Sequence, residues 1–160
     1  MSDPQVHCTF VGNPHWLNLN GSAMTKIVDD NPHPFTLTGE IAEDQKRQYL
    51  LASHVFCSSS GDEIFGMAVL EAASLGLPLV VSDLPCYRGI WQHGVNTLMA
   101  PVDAIDCLSW NLSALTRDKL LASRPCKVAM LSSARFTEDR FIRGMNDALK
   151  QAMEDPIHWA

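Results

Sequence analysis

Short apolar runs rich in β-branched and aromatic residues alternate along this chain with longer helix-favouring stretches. The runs predict strands over 6–11, 35–38, 54–57, 77–81 and 96–100. The stretches between them predict helices over 43–53 and 65–75, shorter helices over 23–29 and 87–92, and helices from 104 to 154 broken near Arg124-Pro125. Strands that alternate with helices at these spacings indicate an α/β fold with a doubly wound parallel sheet.

Parallel sheets of this kind bind ligands beyond the carboxyl ends of their strands. The loops in that position are predicted to be Gly12–His15, Gly39–Glu40, Ser58–Gly66 and Asp83–Tyr87. Neither G-x-G-x-x-G nor G-x-x-x-x-G-K-[ST] occurs in the sequence. Ordinary NAD-binding proteins and P-loop NTPases are therefore disfavoured.

Composition narrows the class of protein further. The 160 residues are 46% hydrophobic and 19% charged, which predicts one domain over 1–160, with the sheet and motifs in about 6–103 and C-terminal helices in 104–154. The net charge of −6 disfavours a nucleic-acid partner. No apolar run is long enough for a transmembrane segment, and the N-terminus carries no signal-peptide pattern, so a cytoplasmic location is expected.

Metal and disulfide chemistry find no support in the sequence. The five cysteines are scattered without a C-x-x-C pair, and neither D-x-D nor H-E-x-x-H occurs. An odd, scattered set of cysteines indicates small apolar side chains in a reducing compartment rather than a disulfide framework or a zinc site. We therefore expect no metal and no cofactor.

The stretch from Ser58 to Asp83 has an unusual distribution of charge. No lysine or arginine lies between Gln48 and Tyr87, and Glu71 is the only charged residue from 64 to 82. A helix that is apolar nearly all round should be buried, and a carboxylate on it costs several kcal/mol unless it finds a partner. Ligand hydroxyls could supply that partner, and so could a distant arginine or the exposed edge of the helix.

Glu63 and Gly66 lie at the predicted start of the same helix. The N-terminus of a helix presents unpaired N–H groups that attract phosphate, and a glycine there lets a ligand approach the backbone. The alternative for Glu63 is a carboxylate that only complements the helix dipole.

Together these residues form a recognisable pattern. The loop reads Ser59-Ser60-Gly61-Asp62-Glu63-Ile64-Phe65-Gly66, and the helix after it contains Leu70-Glu71-Ala72 followed by Gly76 and Pro78. This order resembles the E-x(7)-E signature of retaining GT-B glycosyltransferases of family four (glycosyl transferases group one), in which a P-S-x-x-E-x-F-G loop precedes L-E-A-x-x-x-G-x-P. The resemblance covers about 6–150 and extends through Asp83-Leu84-Pro85, His93–Leu98, Pro101–Asp103 and, more weakly, Val11-Gly12 and Thr38-Gly39.

The resemblance implies the Rossmann-like C-terminal half of a GT-B enzyme, the half that binds a nucleoside-diphosphate sugar from which the sugar is transferred to an acceptor. Glu63 would be catalytic, as nucleophile or as orienting group. The backbone at Phe65, Gly66 and Met67 would hold sugar hydroxyls and diphosphate, and Glu71 would take the ribose hydroxyls. Gly12 is a further substrate-binding candidate.

The sequence departs from the family pattern at three places. Ser59 replaces the proline of the loop, and Gly89 replaces a glutamate common in the D-L-P-x-x-R-E segment. The strand and helix with basic residues for the diphosphate would precede Val6, as would the acceptor-binding N-terminal domain, so we expect a fragment or a short protein that works with a partner subunit. Two alternatives are a non-catalytic module that binds a nucleotide sugar or a partner protein, and a fragment of a GT-B sugar-nucleotide epimerase.

Overall fold

Two units make up the chain in the computed structural model, which describes residues 6–12 and 35–154. One unit ends at Ser53 and the other begins at His54. The helix predicted over 23–29 lies outside the described residues. The single domain predicted over 1–160 stays a prediction.

The first unit contains a parallel pair of strands and one helix among its described residues. Strand β1 (Cys8–Phe10) pairs with β2 (Phe35–Leu37), and the rings of Phe10 and Phe35 stack with their centroids 5.7 Å apart. Helix α1 (Glu43–Ala52) follows, one residue shorter than predicted. Both strands lie inside the predicted runs and are shorter than them.

The second unit is a three-stranded parallel sheet with helices. Its elements are β3 (Phe56–Ser58), α2 (Met67–Ser74), β4 (Leu79–Ser82), a 3₁₀ turn (Pro85–Tyr87), β5 (Leu98–Ala100), α3 (Ile105–Arg117), α4 (Lys119–Ser133) and α5 (Glu138–Glu154). The strand order is β3-β4-β5, so β4 is paired on both sides. The predicted α/β fold with parallel strands is confirmed.

Strand β4 forms the centre of the core in this unit. All four of its residues are buried, and both α2 and α3 contact it. Strands buried on both faces read as continuous apolar runs, which is why this strand was predictable from Leu77 to Val81. The run starts earlier than the strand because Gly76 and Leu77 close α2: Gly76 N–H donates to Ala73 O and Leu77 N–H to Ala72 O, the pattern of a Schellman motif.

Two predicted boundaries are wrong. The break near Arg124-Pro125 does not occur, since Pro125 lies inside α4 and costs one intrahelical hydrogen bond without ending the helix. The chain instead breaks at Asp118, whose carboxylate accepts from the N–H groups of Leu120 and Leu121 at 2.9 Å. The short helix predicted over 87–92 is a 3₁₀ turn that begins at Pro85, and Gly89, with φ of +83°, follows in a conformation that cannot continue a helix. Among the described residues, no helix is both long and apolar enough to cross a membrane.

Candidate functional site

Two loops meet at the carboxyl edge of the β3-β4-β5 sheet. The 59–66 loop follows β3 and leads into α2, and the 83–87 segment follows β4. Because the two strands are parallel neighbours, both segments leave the sheet at the same edge. This is the edge at which doubly wound sheets bind their ligands.

Gly66 starts α2 in a conformation that suits glycine. Its φ is +79°, it is the N-cap residue, and its carbonyl accepts from the N–H groups of Val69 and Leu70 at 3.1 and 3.2 Å. The N–H groups of Met67 and Ala68 belong to the first turn, which has no intrahelical acceptors for them. The helix therefore presents unpaired N–H groups of the kind that can bind an anion, and anion binding at this position stays a prediction.

Glu63 is oriented by two serines of the same loop. Ser60 Oγ donates to Glu63 Oε1 at 3.1 Å, and the hydroxyls of Ser60 and Ser58 share a hydrogen bond of 3.4 Å. Glu63 itself is half-buried. This chain of hydroxyls leads from the end of β3 to the carboxylate, and it fixes one carboxylate oxygen while the other keeps its capacity to accept.

Glu71 lies on a half-exposed face of α2, which corrects the expectation of a helix buried all round. Only Val69, Ala72 and Ala73 of this helix are buried, whereas Met67 is 59% exposed. Met67 and Glu71 are one turn apart and share a face. Since Glu71 is partly exposed, the desolvation cost is smaller than a helix buried all round would impose.

Phe65 anchors the 59–66 loop to the segment that connects α4 and α5. Its ring packs edge-on against Phe136, with the centroids 5.4 Å apart and the planes at 72°. Ile64, beside it, is 98% exposed. The side chain of Phe65 is thus used for packing, which leaves its backbone for any contact with a ligand.

The 83–87 segment adds two titratable side chains beside Glu63. Burial raises the pKa of Tyr87 to about 12. The negative charge of Glu63 and, to a smaller extent, Cys86 add to this rise, whereas the Ser58 hydroxyl opposes it. Burial also raises the pKa of the Cys86 thiol, a backbone hydrogen bond lowers it, and Glu63 and Asp62 raise it further. At neutral pH both groups are protonated, so they present donors and no charge to the 59–66 loop.

Gly12 lies in the first unit, apart along the chain from the other candidates. Its φ is +129°, and its N–H donates to Gly39 O at 3.1 Å in an isolated antiparallel bridge. Its role in binding a substrate stays a prediction.

A cleft of about 460 Å³ lies between the 88–96 turn and α4, and Arg88 and Arg135 are among its lining residues. None of the predicted site residues lines it. We therefore do not place the predicted ligand there.

The structure brings together five of the six candidates, namely Glu63, Phe65, Gly66, Met67 and Glu71, on the 59–66 loop and α2. Sequence reasoning missed Ser58, Ser60 and Tyr87. The spacing Ser60-x-x-Glu63 was the available signal for the serine that orients the carboxylate. No local signal pointed to Tyr87.

The sequence model of the family "Glycosyl transferases group 1" matches residues 2–118. The chain belongs to this family. As a member of glycosyl transferases group 1, it is similar to the phosphatidyl-myo-inositol mannosyltransferase of Mycobacterium leprae (strain TN), at 30% identity over 87 residues, 54% of this chain and 23% of the relative. The enzyme of the same name from Mycobacterium tuberculosis (strain ATCC 25618 / H37Rv) is 26% identical over 126 residues, 76% of this chain and 32% of the relative.

Solved structures show the same fold. Anabaena Alr3699/HepE in complex with UDP and glucose superposes with a TM-score of 0.80 at 18% identity, covering 93% of this chain and 41% of that one. Sucrose-phosphate synthase (tll1590) from Thermosynechococcus elongatus gives a TM-score of 0.77 at 18% identity, covering 94% and 39%. The Rossmann-like fold of a GT-B half is thereby confirmed for this member of glycosyl transferases group 1. The chain spans 23% to 32% of the length of these curated relatives and about two-fifths of these structures.

Proposed function

We propose that this chain is the donor-binding part of a retaining glycosyltransferase, which transfers a sugar from a nucleoside-diphosphate sugar to an acceptor. One observation carries the proposal: the left-handed Gly66 opens the N-terminus of α2 at the carboxyl edge of the sheet, directly after the oriented carboxylate of Glu63. An anion-binding helix end and a carboxylate in one loop suit a ligand that joins a diphosphate to a sugar.

In this proposal the residues divide the donor between them. The backbone at Phe65, Gly66 and Met67 holds the diphosphate and sugar hydroxyls, and Glu71, on the face of α2 shared with Met67, accepts from the ribose hydroxyls. Glu63 faces the sugar, as nucleophile or as orienting group. An ionised carboxylate accepts hydrogen bonds at both oxygens, which suits contacts to hydroxyls.

The transfer breaks the bond between the anomeric carbon and the diphosphate oxygen, forms a bond from that carbon to an acceptor hydroxyl oxygen, and passes the hydroxyl proton to the leaving diphosphate. Positive charge develops on the sugar while negative charge collects on the leaving diphosphate. Positioning of the two reactants and stabilisation of the leaving group by fixed N–H dipoles would supply most of the acceleration.

The acceptor is proposed to bind elsewhere, on an N-terminal domain or a partner subunit. The chain covers only part of each relative, so the full enzyme would need additional residues. Two similar structures were solved with UDP-glucose or with UDP and glucose, which supports a nucleotide sugar as the ligand here.

A non-catalytic module that binds a nucleotide sugar is the second candidate. It is favoured by the lack of any lysine or arginine between Gln48 and Tyr87, because phosphates at this edge would have only backbone donors from that stretch. Affinity should then be modest, on the order of tens of micromolar to millimolar. Assaying the chain together with the acceptor-binding part separates the candidates: only the enzyme releases nucleoside diphosphate when an acceptor is added.

Donor binding is tested by titrating the chain with UDP, GDP, ADP and the corresponding glucose nucleotides. The readout is the NMR chemical shift of each backbone amide between Ser58 and Glu71. Glu71→Ala should lose about tenfold to a hundredfold in affinity for both nucleotide and nucleotide sugar, because hydrogen bonds to a charged acceptor are lost. Glu63→Ala should bind the nucleotide normally and lose only the preference for the nucleotide sugar.

Asp147→Ala removes an exposed carboxylate of α5 and serves as the matched control. Unchanged affinity in Glu71→Ala would contradict its ribose contact. A chain whose 58–71 amides do not respond to any ligand of the panel at saturation would contradict donor binding as a whole.

We further propose that binding needs no metal and that the protein works in the cytoplasm. The sequence lacks D-x-D, and among the described residues no cluster of three potential metal ligands occurs. The odd, scattered cysteines suit a reducing compartment. Added EDTA should therefore leave the affinity for the nucleotide unchanged.

A further inference from the structure

The hydroxyl of Tyr87 is buried without a hydrogen-bond partner among the described residues. It is the largest of the fully buried side chains, at 0% exposure, and its Oη is the one buried side-chain polar atom without a hydrogen-bond partner in the described residues. Buried hydroxyls are nearly always paired, because an unpaired one loses its hydrogen bonds to water and regains none. Phenylalanine would fill the same space without that loss, so the hydroxyl calls for an explanation.

The hydroxyl end of Tyr87 lies against the first residue of α2. A Cβ built on Gly66 would lie 2.6 Å from Tyr87 Cε1 and 2.9 Å from Tyr87 Oη. Real Cβ atoms do not approach other atoms that closely. The ring therefore packs directly on the backbone that opens the helix N-terminus, and it leaves room there for glycine alone.

The 59–66 loop, on which the hydroxyl end of Tyr87 packs at Gly66, carries potential hydrogen-bond acceptors. The Glu63 carboxylate raises the pKa of Tyr87 and the Ser58 hydroxyl lowers it, and Glu63 lies three residues before Gly66, against whose backbone Tyr87 Oη packs. Neither meets the geometry of a hydrogen bond to it. The two are already linked through Ser60, which donates to Glu63 Oε1 at 3.1 Å and shares a bond of 3.4 Å with Ser58. A small shift of this loop would supply Tyr87 with an acceptor.

We propose that Tyr87 is a positioning residue for the 59–66 loop: its ring fixes the backbone at Gly66, and its hydroxyl donates to the loop when a nucleotide sugar is held there. The inference rests on the proposed donor-binding function. The unpaired hydroxyl destabilises the empty site. Because the hydroxyl gains its hydrogen bond only when the site is occupied, that bond increases the affinity for the ligand. Tyr87 does not touch the ligand; it acts through Ser58 and Glu63.

The test compares Tyr87→Phe with Tyr49→Phe in the whole chain. Tyr49 is the other tyrosine of the sequence and lies on α1 with 38% of its surface exposed. Without ligand, Tyr87→Phe should melt at the same temperature as the wild type or higher, because it loses an unpaired buried hydroxyl. Its affinity for the nucleotide sugar that the wild type binds should fall about fivefold to tenfold, the value of one hydrogen bond. Tyr49→Phe should change neither quantity.

Each contrary result has a distinct meaning. Equal affinity in Tyr87→Phe and wild type would overturn the inference while leaving donor binding intact. A lower melting temperature of unliganded Tyr87→Phe would also overturn it, because the hydroxyl would then be paired already in the empty protein. A wild-type chain that binds neither nucleotides nor nucleotide sugars of the UDP, GDP and ADP series would overturn the proposed function, and this inference with it.

Discussion

Replacing Gly66 with alanine should lower the free energy of unfolding through two separable contributions. The first part is conformational, since an L-residue at φ of +79° costs about 1–2 kcal/mol. The second is steric: the new Cβ would lie 2.6 Å from Tyr87 Cε1, well inside van der Waals contact, and overpacking of this kind costs about 1–3 kcal/mol. Gly66→Ala should therefore lower the free energy of unfolding by about 2–5 kcal/mol.

Gly89 offers a control that isolates the conformational part. Its φ is +83°, and a Cβ there would meet no atom within 4 Å. Gly89→Ala should therefore cost only about 1–2 kcal/mol. Urea denaturation followed by the fluorescence of the buried Trp91 would measure both variants. Equal losses at the two glycines would refute the close contact between Gly66 and Tyr87.

A double-mutant cycle locates the steric part. Leucine at position 87 removes the ring that the new Cβ would strike, so in a Tyr87→Leu background the further change Gly66→Ala should cost only its conformational part. The same cost in both backgrounds would show that Tyr87 is not the obstacle.

Two further predictions concern pH and the turn that packs on α4. The pKa of Tyr87 is raised from 10.0 to about 12, so the unfolded chain loses this proton at a lower pH than the folded chain does. The free energy of unfolding should therefore be unaffected by this group below pH 10 and should fall as the pH rises towards 12. The fall should be about 2 kcal/mol or less, after allowance for solvent near the loop. Urea midpoints between pH 9 and 11.5 should show this fall in wild type, whereas Tyr87→Phe should lack that part of it. Asn96→Ala should lower the free energy of unfolding by about 2–3 kcal/mol, because the buried amide accepts from Gln92 N–H and donates to Ile90 O and Ser132 Oγ. Ser132→Ala removes only one of these partners and should cost about 1 kcal/mol or less in the same denaturation assay.

Patterns within one segment were sufficient to predict most of the fold. The apolar run at β4 predicts a central strand because such a strand is covered on both faces, and Gly76 predicts the end of α2 because it supplies the left-handed residue of a Schellman motif. The position of the 59–66 loop was equally predictable, since Glu63 and Gly66 lie in one short segment directly before α2.

Features that depend on packing between distant segments could not be predicted. Pro125 suggests a helix break, but its environment in α4 tolerates the missing N–H, and the stronger signal was the N-cap at Asp118. Composition overstated the burial of α2 as a whole, because an apolar helix does not reveal which of its faces the neighbouring elements cover. The contact between Gly66 and Tyr87 joins the segments that follow two neighbouring strands at the same edge of the sheet, and no spacing in the sequence predicts it.

The double pairing of β4 has a consequence for how the protein opens. Its amides lie in a strand that is buried throughout and bonded on both sides, so they should exchange with solvent deuterium only when the whole unit unfolds. The adjoining 59–66 loop, with Ile64 almost fully exposed, belongs to the part that opens locally. The loop can therefore rearrange without exposing the amides of β4, whose exchange should remain the slowest in the unit.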